Sequence, residues 1–158
     1  MIKRILVAAL AVGTLAGVAH AQKPSGEKGG PKSEKPTQTS VAAKGKSFGT
    51  IAATDAKVTS ATKAEDLTAA KKHLDKTASF VGTVAKVFAP KSNSVVLLNF
   101  AKDYKTALIG TIKSSNFAAF PDLKTLEGKK VLVTGKVIDF HGQTEIELTG
   151  LEDIKIVP

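Results

Sequence analysis

The segments ASFVGTV (residues 78–84) and VLVTGKV (residues 131–137) share the order apolar, x, apolar, x, Gly, x, Val. Alternation with a period of two is typical of a strand with one buried face. The shared glycine position predicts a matched bend or bulge in both strands, at a place where the sheet curls sharply. Two bent strands that frame a short domain predict a closed β-barrel.

The rest of the periodic apolar pattern falls within residues 64–158, which is enough chain for one small domain. A short helix is predicted over residues 62–74, with Thr62 as its cap and Glu65 as the capping-box partner. A second short helix is predicted over residues 114–123, with Phe117 and Phe120 packed inward. Five strands are predicted, at residues 78–88, 94–100, 105–112, 130–140 and 144–148.

Three strands, a helix and two further strands follow one another in the order of the OB-fold. The sequence therefore predicts an all-β, five-stranded OB-fold Greek-key barrel, with one short helix between the third and fourth strands and a short N-terminal helix. His141 and Gly142 form a tight hairpin turn before the last strand. In that strand Ile146 is expected to face the core, whereas Glu145 and Glu147 are expected to face solvent.

Several phrases of the sequence carry a resemblance to a known family. They are FVGTV (80–84), LLNF (97–100) followed by Asp103-Tyr104, the Phe117–Phe120 pair, LEGKKV (126–131) and GxxEIxL (142–148). Over about residues 64–157 the chain resembles bacterial OB-fold nucleic-acid-binding domains, and it is similar to the tRNA-anticodon-binding type of OB module. This resemblance implies an OB barrel that binds nucleic acid.

A second resemblance is to small periplasmic bacterial OB-fold proteins. It is carried by a signal peptide, a low-complexity lead, a short helix, a Cys-free barrel and the C-terminal segment IKIV (154–157). This resemblance implies small or cationic ligands in place of nucleic acid.

The amino-terminal residues predict export. Residues 1–21 combine a basic start, an apolar run and the small-x-small site Ala19-His20-Ala21, which is typical of a secretory signal peptide cleaved before Gln22. The alternative is an uncleaved membrane anchor, although the apolar run is short for a span. The expected location is periplasmic or secreted, with no transmembrane segment after cleavage.

Residues 22–61 are rich in Lys, Gly, Ser and Pro and predict a disordered linker before a domain at residues 62–158. This linker could serve as a cationic arm for anionic partners or as a solvated spacer. The chain carries a formal net charge of +9, and most of that charge lies before residue 64. Arg4 is its only arginine, which weakens any expectation of sequence-specific base reading by arginine.

The residues that catalysis or metal binding would need are scarce. The chain has no cysteine, and only His73 and His141 follow the predicted signal peptide. No glycine-rich phosphate loop opens a helix, and no nucleophile elbow occurs. The sequence therefore predicts a protein that is not an enzyme and has no cofactor or metal.

OB-folds bind ligands on the outer face of the second and third strands, rimmed by the adjacent loops. The candidate binding residues in that region are Phe88, Lys91, Asn99, Lys102, Tyr104, Lys105, Phe140 and His141. Aromatic rings beside cations are typical of single-stranded nucleic-acid binding. The alternatives are that Phe88 and Phe140 close the barrel end and that the lysines are ordinary solvated side chains.

These residues predict an exported binding module for single-stranded nucleic acid or another anionic polymer, without strong sequence preference. The alternative function is a periplasmic stress or envelope protein that binds a small ligand or a partner protein at the same face.

Overall fold

The structure, a computed structural model, describes residues 35–158. The predicted signal peptide and the first part of the predicted linker lie outside the described residues. The described strands are β1 (Gly49–Thr50), β2 (Thr62–Lys63), β3 (Thr77–Thr83), β4 (Lys86–Phe88), β5 (Val95–Asn99), β6 (Ile109–Lys113), β7 (Lys130–Phe140), β8 (Gln143–Glu147) and β9 (Ile154–Ile156). The helices are α1 (Gln38–Val41), α2 (Ala56–Thr59) and α3 (Leu67–Lys71), and the 3-10 helices are Tyr104–Thr106, Ser114–Ala119, Leu123–Leu126 and Leu151–Asp153.

The strands form one curled sheet, so the prediction of a mainly β, barrel-like architecture is confirmed. Hydrogen-bonded neighbours run in the order β4, β5, β6, β8, β7, β3, and only β6 with β8 is parallel within this series. This series begins at β4 and ends at β3, and only Val84 and Ala85 separate these two strands along the chain. The two ends of the series are therefore neighbours in sequence. Outside this series, β1 pairs with β9 and β2 pairs with β3, both in parallel, and β9 also pairs with β7.

The predicted count of five strands is wrong, because the described residues form nine. The strand predicted over residues 78–88 is interrupted at Val84-Ala85, where the backbone turns from pairing with β7 to pairing with β5. The other additional strands are short, and β1 and β2 have two residues each. A two-residue strand is too short to show alternation, so these strands leave no periodic signal.

The two glycines of the repeated phrase lie in the paired strands β3 and β7, whose register runs from Thr77 to Thr83 without a bulge. In the antiparallel pair of β3 and β7, Ala78 lies opposite Gly135 and Gly82 lies opposite Val131. A Cβ atom at Gly82 would lie 2.8 Å from the Cβ of Ala64, and one at Gly135 would collide with the carbonyl oxygen of Glu147. Close approach of neighbouring backbone and side chains therefore requires glycine at both positions.

The segment between β6 and β7 covers one end of the sheet. Phe117 and Phe120 are buried, which confirms their predicted inward packing. The predicted single helix is instead two 3-10 helices separated at Phe120-Pro121. Proline disfavours helical backbone in the residue before it, and Phe120 is accordingly extended, with φ −106° and ψ 147°.

The helix predicted over residues 62–74 is wrong at its start. Thr62 and Lys63 belong to β2, and the backbone N–H of Ala64 donates to Val81 at 2.9 Å. Helix α3 begins only at Leu67, where the Asp66 side chain caps it by accepting from the N–H of Ala69 at 2.9 Å. Pairing with β3 thus outweighs the capping signal at Thr62.

Residues 38–59, within the stretch predicted as a disordered linker, carry α1, β1 and α2. Gln38 is buried, and its side chain donates to the carbonyl of Pro121 at 2.8 Å and accepts from the N–H of Leu123 at 3.0 Å. Phe48 is buried within the main hydrophobic cluster. The packed part of the described chain therefore extends upstream of residue 62. Within residues 35–158, no helix has both the length and the apolar character that crossing a bilayer requires.

Candidate functional site

Strand β5 places apolar side chains on both faces of the sheet. Val96 and Leu98 are buried in the core, whereas Val95, Leu97 and Asn99 alternate outward and are half-buried. Leu97 borders three adjoining clefts on this outer surface. We call the surface the aromatic face and define it by Phe88, Leu97, Tyr104, Phe140 and Glu145, which line those clefts.

Three aromatic side chains stand exposed on this face. Phe88 is 44% exposed, Tyr104 49% and Phe140 55%, and they are the exposed large hydrophobic side chains of the described residues. Neither Phe88 nor Phe140 is buried in the core. The alternative that these two side chains close the end of the barrel is therefore wrong. Three apolar rings that remain in solvent on one surface are typical of a binding site.

A tight turn between β7 and β8 holds Phe140 at the edge of the face. His141 and Gly142 have φ values of 53° and 83°, which confirms the predicted two-residue hairpin turn. The Asp139 side chain accepts from the N–H of Gly142 at 2.9 Å, and the His141 ring meets the Phe140 ring edge-on with centroids 4.5 Å apart. Phe140 and His141 both line the largest of the three clefts, whose volume is about 550 Å³.

Tyr104 reaches the face from a 3-10 helix and not from a strand. The sequence predicts a strand from residue 105, but the Asp103 side chain accepts from the N–H of Lys105 at 3.0 Å and so caps the turn Tyr104–Thr106. Strand β6 therefore begins only at Ile109. The Lys105 ammonium lies 5.8 Å from the centroid of the Tyr104 ring, within reach of a cation–π interaction.

The cleft between Phe88 and Tyr104 has the most basic lining. Lys86, Lys102 and Asn99 line it together with Leu97. The side-chain oxygen of Asn99 is buried without a hydrogen-bond partner among the described residues. Lys91, by contrast, is exposed on the turn after β4 and borders none of the three clefts. The structure thus brings the predicted site residues together on one face, with the exception of Lys91.

Glu145 is the main feature of this face that the sequence did not predict. It was expected in solvent, but only 7% of it is exposed. Its Oε2 accepts a hydrogen bond of 2.7 Å from Thr111 Oγ1 on the neighbouring strand β6. Burial raises the pKa of the Glu145 carboxyl, the Thr111 hydrogen bond opposes that shift, and the nearby Glu147 carboxylate adds to it.

The next carboxylate on β8 has a different environment. Glu147 Oε1 lies 2.6 Å from the ammonium of Lys113, which is exposed. This hydrogen bond and the charge of Glu147 raise the pKa of Lys113. One end of the aromatic face thus carries Lys86 and Lys102, and the other carries an ion pair beside a largely buried carboxylate.

One pattern in the sequence could have indicated the apolar part of the aromatic face, which was not predicted. The run VVLL (95–98) is apolar at every position, which a strand with one solvated face would not be. Ile138 on β7 and the buried Ile109 on β6 are likewise apolar and line the clefts of this face. An outward apolar row on neighbouring strands therefore marked this surface.

Within residues 35–158, no group of three or more acidic or histidine side chains is placed to hold a metal ion. No protein-family model matches the chain, and no curated protein matches it.

Proposed function

We propose that this chain is an OB-fold binding module in which residues 77–88 act as one bent first strand. On this assignment the five barrel strands are β3 with β4, β5, β6, β7 and β8. The order of pairing, the parallel pair of β6 with β8 and the helical segment between β6 and β7 support it. Strands β1, β2 and β9 are then additions to the barrel.

The ligand we propose is single-stranded nucleic acid or another anionic polymer, bound across the aromatic face. The observation that carries the proposal is that the three exposed aromatic rings share one face with Lys86, Lys102 and Lys105. Bases stack on exposed rings at about 1–3 kcal/mol per base, and lysines neutralise the phosphates between them. The absence of arginine after Arg4 fits binding by charge and stacking.

Fluorescence anisotropy with a labelled oligothymidylate tests this proposal. If the three lysines each displace a counterion, the logarithm of the affinity falls against the logarithm of salt with a slope of roughly −2. We expect binding at low salt with that slope, and a loss of affinity for Tyr104→Ala. Absence of binding at low salt, or affinity that does not change with salt, would overturn the proposal.

A second candidate is a small ligand or a partner protein that bears a positive charge. Glu145 favours it, because a largely buried carboxylate beside Phe140 offers both charge and an aromatic surface to a cation. A rise in melting temperature with a cationic small molecule such as arginine amide, and none with oligonucleotides, would support this candidate over the first.

The proposed location is periplasmic or secreted. It rests on residues 1–21 alone, which precede the described part of the chain. Mass spectrometry of the protein recovered from a bacterial periplasm tests it. A mature chain that begins at Gln22 is expected, and a full-length chain in the membrane fraction would favour the uncleaved anchor.

A further inference from the structure

We propose that Glu145 makes the aromatic face select a base with two adjacent N–H donors, which among the common bases is guanine. The inference rests on the proposed binding of nucleic acid and adds a preference at one position of the bound strand. Two observations carry it: the place of the carboxylate between clefts, and its incomplete set of hydrogen bonds.

The Glu145 carboxylate lies where a stacked base would present its edge. It borders the same two clefts that Phe140 lines, one shared with Tyr104 and the other with Lys113. A base stacked on the exposed ring of Phe140 would therefore have Glu145 at its side. The Phe140 ring and the Glu145 carboxylate lie close to each other because their strands, β7 and β8, are joined by a two-residue turn.

The protein supplies only some of the hydrogen bonds that the Glu145 carboxylate can accept. Within residues 35–158, Thr111 is the one hydrogen-bond donor to Glu145, and it contacts Oε2. Lys113, the cation whose charge acts on Glu145, is held at 2.6 Å by Glu147. Oε1 therefore has no hydrogen-bond partner among residues 35–158. It is not one of the fully buried unpartnered atoms of that part of the chain, so it lies where a ligand can reach it and supply a donor.

An ionised carboxylate accepts hydrogen bonds and donates none, so it repels phosphate and suits only the donor edge of a base. Guanine presents N1–H and N2–H side by side, which matches two carboxylate lone pairs. Adenine and cytosine each place a ring-nitrogen acceptor beside their amino group, and thymine flanks its single N–H with two carbonyl oxygens. A good bidentate pair discriminates between bases by about tenfold to a hundredfold.

The test uses the full chain and four labelled oligothymidylates, three of which carry one central guanosine, inosine or cytidine. We expect the guanosine strand to bind at least tenfold more tightly than the unsubstituted strand. Inosine keeps N1–H but lacks the amino group, so we expect it to lose most of that gain. Cytidine is expected to bind like thymidine.

Three variants test whether the preference depends on the carboxylate. Glu145→Gln is expected to lose the guanosine preference, measured as the ratio of its affinities for the guanosine strand and the unsubstituted strand. Glu152→Gln is the control for charge, because it removes one carboxylate at an exposed position that borders none of the three clefts, and it is expected to keep the preference. Thr111→Val removes the bond that positions the carboxylate and is expected to reduce the preference, and circular dichroism checks that each variant is folded.

The outcomes separate this inference from the proposed function. Oligonucleotide binding without a guanosine preference, or a preference that persists in Glu145→Gln, overturns the inference and leaves the proposed function standing. No oligonucleotide binding at all overturns both. If a short arginine-containing peptide binds in its place and Glu145→Gln abolishes that binding, the carboxylate recognises a guanidinium group, and both are overturned.

Discussion

Thr111 and Glu145 form a side-chain hydrogen bond of 2.7 Å across the parallel pair of β6 and β8, on the outer surface of the sheet. It holds the carboxylate at the base of an apolar surface, where Phe140 and Ile138 limit its contact with water. The bond compensates only part of what the carboxylate loses by leaving water. The buried Glu145 carboxylate is therefore expected to lower the free energy of unfolding, even with its hydrogen bond to Thr111.

Replacing Glu145 with glutamine should reveal that loss. Burial raises the folded-state pKa of the carboxyl, so its favourable contribution to stability is present below its ordinary pKa and disappears as the pH rises through the raised value. At pH 7 we expect Glu145→Gln to melt at a higher temperature than the parent protein, because its amide oxygen can still accept from Thr111. The difference should close as the pH falls below about 4.3. Melting curves across this pH range check the prediction, and a difference that does not vary with pH would contradict it.

Phe140 and Tyr104 should affect binding without affecting folding. Both rings are about half exposed, so either alanine variant should still fold and should lose less free energy of unfolding than the roughly 3–5 kcal/mol that a fully buried phenylalanine costs. Binding of oligothymidylate should weaken by about 1–3 kcal/mol for each ring that stacks on a base. Anisotropy titrations beside chemical denaturation measure the two effects separately. An equal loss of stability and affinity would show that the rings are structural.

Lys102 and Lys91 form a matched pair for testing where the phosphates lie. Both are exposed, but only Lys102 borders the aromatic face. Lys102→Ala should lower the salt slope of binding by about 0.7, the value for one phosphate contact on a single strand. Lys91→Ala should leave the slope unchanged. If the two variants behave alike, the lysines act through general charge and the ligand does not follow this face.

Gly135 should tolerate no side chain. The methyl group of Gly135→Ala would meet the carbonyl oxygen of Glu147, which cannot yield without disturbing the pairing of β7 with β8. Overpacking of this kind costs about 1–3 kcal/mol. The adjacent exposed residue offers the control Lys136→Ala, which should be close to neutral. Urea denaturation of both variants tests this, and an unchanged midpoint for Gly135→Ala would show that the two strands can separate at no cost.

Gln38 should stabilise the fold from upstream of residue 62. Gln38→Ala would leave the carbonyl of Pro121 and the N–H of Leu123 without their partner in a buried site. Each buried group left unsatisfied costs about 1–3 kcal/mol. Thr39→Ala, at the neighbouring exposed position, is the control and should cost less. A melting temperature that Gln38→Ala does not lower would mean that α1 is not needed for stability.

Alternation along the chain predicted the long elements well. Strand β7 spans Lys130–Phe140, the bounds that the pattern gives, because Val131, Val133 and Val137 are buried on one of its faces. Strands β1 and β2 were not predicted, since each has only two residues, and the parallel partner of β1, β9, lies near the other end of the described chain. No local pattern encodes a pairing of that kind.

Part of the aromatic face could also be predicted from the sequence. Aromatic residues beside turns identified Phe88, Tyr104 and Phe140, because rings next to loops are often left exposed. The burial of Glu145 could not be predicted, since neighbouring strands cover it and its alternation with Ile146 is that of any solvent-facing carboxylate.

The parallel pairing of β6 with β8 also determines when, during synthesis of the chain, the aromatic face can form. Thr111 and Glu145 are separated by 34 positions, and β7 must cross the sheet before they can meet. Contacts between distant parts of a chain slow folding, because the intervening loop must close first. A ribosome-bound chain that ends before residue 145 cannot form the complete aromatic face, so the face forms only once β8 has been made, whereas β9 is added to the sheet afterwards.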